Sequence, residues 1–301
     1  MTLVFPVLRL GQDGSLLRMP SGAILARQPY PFLEAPVSAA AYRARSATEL
    51  IDATFQLLRR NAAVFFTLSA LFTIPNTILQ SIFMRPTLSQ QPQPLGAGGQ
   101  SLSGLLVYYL CVLALGSVFQ TAMMIAASES YLGKPVIVAN DLQQALPKFI
   151  TIFVAYVLTS ILVGVSVLGF IVGSIYVALL FFAVPASIIF ENVDLGKAFS
   201  RSATLSKGLK GHIFLTLLLA FVIYVVGYLI VVSVASLLAG ISPYAKLIIQ
   251  ALGLTFIVPV FPIVAVLIYY DARIRKEGFD IQLMAQAVDS ASAGTTKPQP
   301  A

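Results

Sequence analysis

The chain reads as an all-α polytopic membrane protein: six transmembrane helices, amphipathic helices on the cytoplasmic side, and both termini in the cytoplasm. Three observations predict this. Hydrophobic residues make up 58% of the 301 positions and charged residues 10%, against roughly a quarter charged in soluble domains. The apolar residues gather into long runs, each able to cross a hydrocarbon core once or twice, at ~20 residues per crossing. With six crossings, all 12 acidic residues and 17 of the 19 basic ones fall on one side. Lipid excludes unpaired charge and Lys and Arg are retained in the cytoplasm, so this segregation defines a topology.

Residues 1–45 form a Pro-rich cytoplasmic segment with Pro6, Pro20, Pro29, Pro31 and Pro36. Gln12-Asp13-Gly14-Ser15 between VLRL and LLRM suits a small β-hairpin, the alternative being a disordered segment. Membrane-domain character runs over 46–288. Ser46 followed by Glu49 is a capping box, and Leu50, Ile51, Thr54, Phe55 and Leu58 recur at helical spacing. That predicts an amphipathic helix over 46–60, lying on the inner leaflet.

The first span is placed at about 61–84, kinked at Pro75, and the second at about 104–128, with Tyr108 and Tyr109 in an interfacial belt. A polar segment, 129–148, follows. Residues 149–190 then carry no charge, which is too long for one crossing. Two spans, about 149–167 and 170–190, turning near Gly164–Gly169, accommodate it. One span here would flip everything downstream and divide the basic residues ten to nine, so the positive-inside rule selects the hairpin. In 191–211, Leu195, Ala198, Phe199, Ser202, Leu205 and Leu209 predict a second interfacial helix, weakened near Gly208 and Gly211. The fifth span is placed at about 212–238. The sixth, about 246–270, is bent at Pro259 and Pro262, and its charged extension stops at Gly278. The Ser/Thr/Pro/Ala-rich tail, 289–301, is expected to be disordered.

Several function classes are disfavoured by composition. The net charge of +7 sits at the ends of apolar runs, without the basic stripe and interleaved aromatics of a nucleic-acid surface. The single cysteine, Cys111, lies inside an apolar run and cannot make an internal disulfide or a Cys-rich metal site. One histidine, His212, at the start of the fifth span, reads as a residue of the headgroup zone. No cofactor, metal or catalytic residue is expected.

Three stretches together resemble a known family: ELIDATFQLLRRN (49–61), VPASIIFENVDLGKAFSRSATLSKG (184–208) and YYDARIRKEGFDIQLMA (269–285). They are similar to the bacterial integral membrane domain named after glycerophosphoryl diester phosphodiesterases. The matching positions are Pro185, Glu191, Ala198, Phe199, Arg201, Ser202, Leu205 and Gly208, then Tyr270, Asp271, Arg273, Arg275, Lys276, Glu277, Gly278 and Phe279. The resemblance implies a stand-alone six-helix module of the bacterial inner membrane. Phosphodiester hydrolysis in that enzyme class belongs to a separate soluble barrel with metal-binding carboxylates and histidines, and no such domain is legible here.

Function is therefore expected from a non-enzymatic module, acting through its cytoplasmic face as a lipid-interacting or partner-binding scaffold. Lys197 and Arg201 on the second amphipathic helix, and Arg273, Arg275 and Lys276 at the exit of the sixth span, are the candidate contacts for anionic lipid or a protein partner. The alternative is a carrier or channel for a small or amphiphilic solute, using the intramembrane amides Asn76, Gln80, Gln120 and Gln250 with the span prolines. Such amides also serve as interhelical hydrogen-bonding groups.

Overall fold

A computed structural model describes residues 9–10, 16–17, 43–83, 102–169, 171–237, 243–279 and 281. The tail from 289 and the loop carrying Arg85 lie outside them. The chain divides into Met1–Ala41 and Tyr42–Ala301. In the first unit, β1 (Arg9–Leu10) pairs antiparallel with β2 (Leu16–Leu17), Arg9 opposite Leu17 and Leu10 opposite Leu16. The Gln12-Asp13-Gly14-Ser15 segment expected to turn between them lies outside the described residues.

The second unit is helical. Its elements are α1 (Ala47–Arg60), α2 (Ala62–Phe83), α3 (Leu102–Tyr131), α4 (Val138–Ala145), a 3-10 turn at Leu146–Lys148 and α5 (Phe149–Gly169). They continue with α6 (Ile171–Leu180), α7 (Val184–Glu191), α8 (Leu195–Ser206), α9 (Lys210–Leu237), α10 (Pro243–Ile257) and α11 (Val260–Glu277). Six stretches are long and apolar enough to cross a membrane: Ala62–Phe83, Ser103–Tyr131, Val138–Val167, Val172–Glu191, Lys210–Leu237 and Ala245–Glu277. The six expected crossings are thus present, in order.

Helix boundaries follow local chemistry. Ser46 Oγ accepts from Glu49 N at 3.3 Å while Glu49 Oε2 accepts from Ser46 N at 2.8 Å, a complete capping box. Arg43 bonds the same carboxylate and, with the Ser46 N–H, holds its pKa down to about 2. Gly278, at φ 59°, ends α11 in the left-handed conformation that glycine adopts without a Cβ clash. Gly211, by contrast, lies inside α9, which begins at Lys210.

Two helices form the protein-facing centre. In α3, every residue from Ala122 to Ala127 is buried, and in α11 so is every residue from Val266 to Ala272. A stretch buried on all sides is surrounded by other helices, and α11 packs against α1, α3, α7, α8 and α9. Leu218, Phe221, Val222, Leu229 and Ile230 of α9 stay exposed, as suits a lipid-facing surface.

Helix α1 departs from expectation. Its apolar stripe does not face a leaflet: Leu50, Ile51, Ala53, Leu57 and Leu58 are buried against protein, with α11 and α9 as the main partners. The same periodicity serves lipid or protein, and only the tertiary fold decides between them. The fourth span departs as well, because it is two helices. Pro185 supplies no N–H, and the chain breaks at Phe181–Ala183 between α6 and α7. The sixth span, expected to bend at Pro259 and Pro262, is interrupted between α10 and α11 at Pro259, while Pro262 lies inside α11.

Helices α9 and α10 approach closely through two glycines. A Cβ on Gly253 would lie 2.6 Å from Val231 Cγ1, and one on Gly227 would lie 3.0 Å from Ile257 Cδ1. Valine γ-carbons sit next to the backbone and cannot swing away. Gly253→Ala is therefore expected to lower the unfolding free energy by about 1–3 kcal/mol through overpacking. Thermal unfolding followed by circular dichroism in micelles reads this, and an unchanged midpoint would refute the close contact.

Candidate functional site at the charged end of the bundle

Two ionic clusters close one end of the bundle, and α11 contributes to both. In the first, Glu191 ends α7 and accepts from Arg201 Nε at 2.8 Å (Oε2) and from its Nη2 at 2.9 Å (Oε1). Tyr269 OH donates to the same carboxylate at 2.7 Å. Arg201 reaches onward through Nη1 to Glu277, which also accepts from Arg273 Nε at 3.0 Å. The Arg273 guanidinium lies 4.1 Å from the Phe279 ring centroid, a cation–π contact. Arg201 is thus a two-sided bridge from α8 to α7 and α11. Donating to the Glu277 and Glu191 carboxylates raises its pKa above the ordinary arginine value, so it stays charged.

The second cluster centres on Asp271, only 3% exposed at its side chain. Its Oδ1 accepts from the Arg45 backbone N–H at 2.8 Å, and its Oδ2 from Arg275 Nε at 2.7 Å. Arg275 Nη2 returns to the Arg45 carbonyl at 2.7 Å, so one ion pair grips both backbone polar groups of Arg45, just before α1. His212 Nε2 lies 3.1 Å from Asp271 Oδ2 but is not aligned as a hydrogen bond. Its ring therefore stands inside the charged cluster rather than among headgroups alone. Tyr270, between the clusters, shares a 2.6 Å hydrogen bond with Ser128 and stacks on Tyr131, Phe190 and Phe279.

The break in the fourth span is sealed from α8. Ser202 Oγ donates to the Leu180 carbonyl at 2.9 Å and accepts from the Ala183 N–H at 3.0 Å. A broken helix within an apolar bundle exposes backbone groups that need partners, and one buried hydroxyl satisfies two of them. The neighbouring ring contact, Phe181 against Phe199 at 4.9 Å, packs the same junction.

The five sequence-predicted contact residues separate into two groups. Arg201, Arg273 and Arg275 are engaged by carboxylates of the protein itself. Lys197 and Lys276 stay exposed, the first 3.8 Å from Asp194 and the second donating to the Thr204 carbonyl at 3.3 Å. The four amides are not brought together: no hydrogen bond joins any two of Asn76, Gln80, Gln120 and Gln250 among the described residues, and Asn76 Oδ1 is buried without a donor. The polar contact between α2 and α10 is Thr73 with Thr255, at 2.8 Å.

Sequence reasoning missed a cavity of about 360 Å³ at the same end. Ser128, Glu129, Lys134, Gln144 and Lys148 supply its polar lining. Ile125, Pro147, Ile189 and Phe190 form an apolar wall. Asp141 of α4 does not line the cavity: it is fully buried, with Glu129 as its carboxyl neighbour. The mixed charges of 129–148 marked the segment as polar, but nothing in their spacing marked a pocket.

Fold and site together define the class: a six-span, all-α, multi-pass membrane protein whose ion pairs gather at one end. No family model, curated protein or solved structure matches the chain.

Proposed function

We propose that this chain is a non-enzymatic module of the bacterial cytoplasmic membrane, which organises lipid or binds a partner through its charged end. The positive-inside rule places that end in the cytoplasm with both termini, and the resemblance of 46–288 to the phosphodiesterase-associated membrane domain supports the same assignment. One observation carries the reading. Arg201, Arg273 and Arg275 are spent on a self-neutralised platform, and a set of exposed cations is left over: Arg59, Arg60, Lys197, Lys207 and Lys276. Such a rim attracts anionic headgroups or an acidic partner at about 1 kcal/mol per basic residue. The carrier alternative draws on the broken fourth and sixth spans. The sealing of the fourth by Ser202 favours the scaffold reading, since its freed groups are already used.

The test follows from the division of the basic residues. Neutralising Lys197, Lys207 and Lys276 together to glutamine is expected to reduce co-purifying phosphatidylglycerol about tenfold or more, with the helical signal unchanged. Unchanged retention would exclude lipid recognition by this rim.

A further inference from the structure

Three charged side chains line the cavity between α3, α4, the 3-10 turn and α7: Glu129, Lys134 and Lys148. Among the described residues no ion pair joins the glutamate to either lysine, whereas Arg201, Arg273 and Arg275 at the same end each have a carboxylate partner. Backbone contacts hold both lysines in place. Gly133, at φ 70°, turns the chain back at the end of α3, and the Lys134 N–H donates to the Glu129 carbonyl at 2.8 Å. Lys148 Nζ donates to the carbonyl of Ile189, itself part of the cavity wall, which leaves two of its N–H groups to other acceptors. Glu129 Oε1 accepts from Gln144 Nε2 at 3.5 Å, a long contact that leaves the carboxylate able to accept more. The cavity lies where spans end: Ser128 and Glu129 close the second, and Ile189 and Phe190 the fourth.

We propose that this cavity binds a phosphate group bearing a P–OH, carried either by a lipid as a phosphomonoester headgroup or by inorganic phosphate. Lys134 and Lys148 take its anionic oxygens, and Glu129 accepts from the P–OH. The volume, about 360 Å³, lies within the ~300–1,000 Å³ of small-ligand sites. A lysine ammonium binds phosphate as a compact point charge. Charge balances in this arrangement, since two lysines offset one carboxylate and one phosphate monoanion. A phosphomonoester loses its second proton near pH ~6, and a carboxylate beside it shifts that loss upward, so the P–OH is kept at Glu129. A phosphodiester has no P–OH, and its oxygens would meet the carboxylate with no proton between them. The apolar wall of Ile125, Ile189 and Phe190 offers a surface to the glycerol and upper chains of a lipid. The inference rests on the lipid-interacting reading above and names a headgroup chemistry for a site separate from the lysine rim.

The full chain would be placed in phosphatidylcholine nanodiscs carrying equal mole fractions of phosphatidic acid and phosphatidylglycerol, and bound lipid counted by native mass spectrometry. The expected result is retention of phosphatidic acid over phosphatidylglycerol by about tenfold or more, falling to parity in Lys134→Gln and in Glu129→Gln. Lys134 is exposed, so its variant keeps the test valid if the glutamine variant does not fold. A second arm compares inorganic phosphate with sulfate, which carries no proton to donate, by the thermal midpoint in lipid-free micelles. A lipid preference without a phosphate effect assigns the site to the headgroup. A phosphate-over-sulfate rise that is lost in Lys134→Gln, without the lipid preference, assigns it to the free anion. Parity of the two lipids together with equal midpoints in phosphate and sulfate, or effects that survive Lys134→Gln, would overturn the proposal. Loss of phosphatidylglycerol on neutralising Lys197, Lys207 and Lys276 tests the broader reading by itself, so the two can fail separately.

Discussion

Replacing Ser202 with alanine should lower the stability of the folded chain by roughly 2–4 kcal/mol, far beyond the effect of losing one hydroxyl from a surface. The reason is the seam it seals. The Leu180 carbonyl and the Ala183 N–H both depend on that oxygen, and each buried backbone group left without a partner costs about 1–3 kcal/mol. Water cannot easily substitute, because Ser202 is fully buried. Ser202→Thr keeps the hydroxyl and should recover part of the loss; Ser202→Val, of similar shape without it, should not. The chain has no tryptophan, so the readout is the helical circular dichroism signal against temperature or denaturing detergent. An alanine variant as stable as the parent would show that the break is satisfied in another way.

The second large effect is expected at Arg201. Its guanidinium serves Glu191 and Glu277 at once, with side-chain exposures of 25%, 19% and 24% respectively. Removing one member of a buried ionic group costs about 3–5 kcal/mol because the remaining charge is stranded. With partial solvation here, Arg201→Met should cost roughly 2–3 kcal/mol. Lysine should restore little, because it offers a point charge where a planar fork meets two carboxylates. Adding Glu191→Gln and Glu277→Gln to Arg201→Met should recover much of the loss, since the stranded charges are then gone. If the triple variant were no better than Arg201→Met, the damage would lie in packing and not in charge.

Much of the architecture was legible in the sequence. Apolar length and charge segregation are coarse signals, and they gave the six crossings, although the turn expected near Gly164–Gly169 does not fall there, because α5 continues to Gly169. Short-range chemistry was equally readable: the Ser46/Glu49 capping box, the Gly278 stop and the Pro259 break depend on residues a few positions apart. The Asp271–Arg275 pair, one helical turn apart, belongs to the same class. What escaped was set by distance along the chain. Asp271 accepts from Arg45 across 226 positions, and Tyr269 meets Glu191 across 78. Arginines that look free in a linear reading were therefore assigned to lipid, when the fold gives them carboxylates. Pro185 was in plain view, yet whether a proline bends or divides a span depends on a partner such as Ser202, supplied from another helix. The cavity lined by Glu129 and Gln144 needed α3 and α4 side by side, which composition does not specify.

The grip of Asp271 and Arg275 on Arg45 has a consequence for biogenesis. Chains emerge from the ribosome amino end first, so α1 is made long before the residues that seat it. Until α11 has entered the bilayer, the buried stripe of Leu50, Ile51, Leu57 and Leu58 lacks a main partner surface, and the peptide at Arg45 lacks its clasp. Helix α11, made more than two hundred residues later, is the one that locks α1. A nascent chain halted before Asp271 would leave an apolar helix unclaimed, a ready mark by which quality-control proteases could tell an unfinished protein from a completed one.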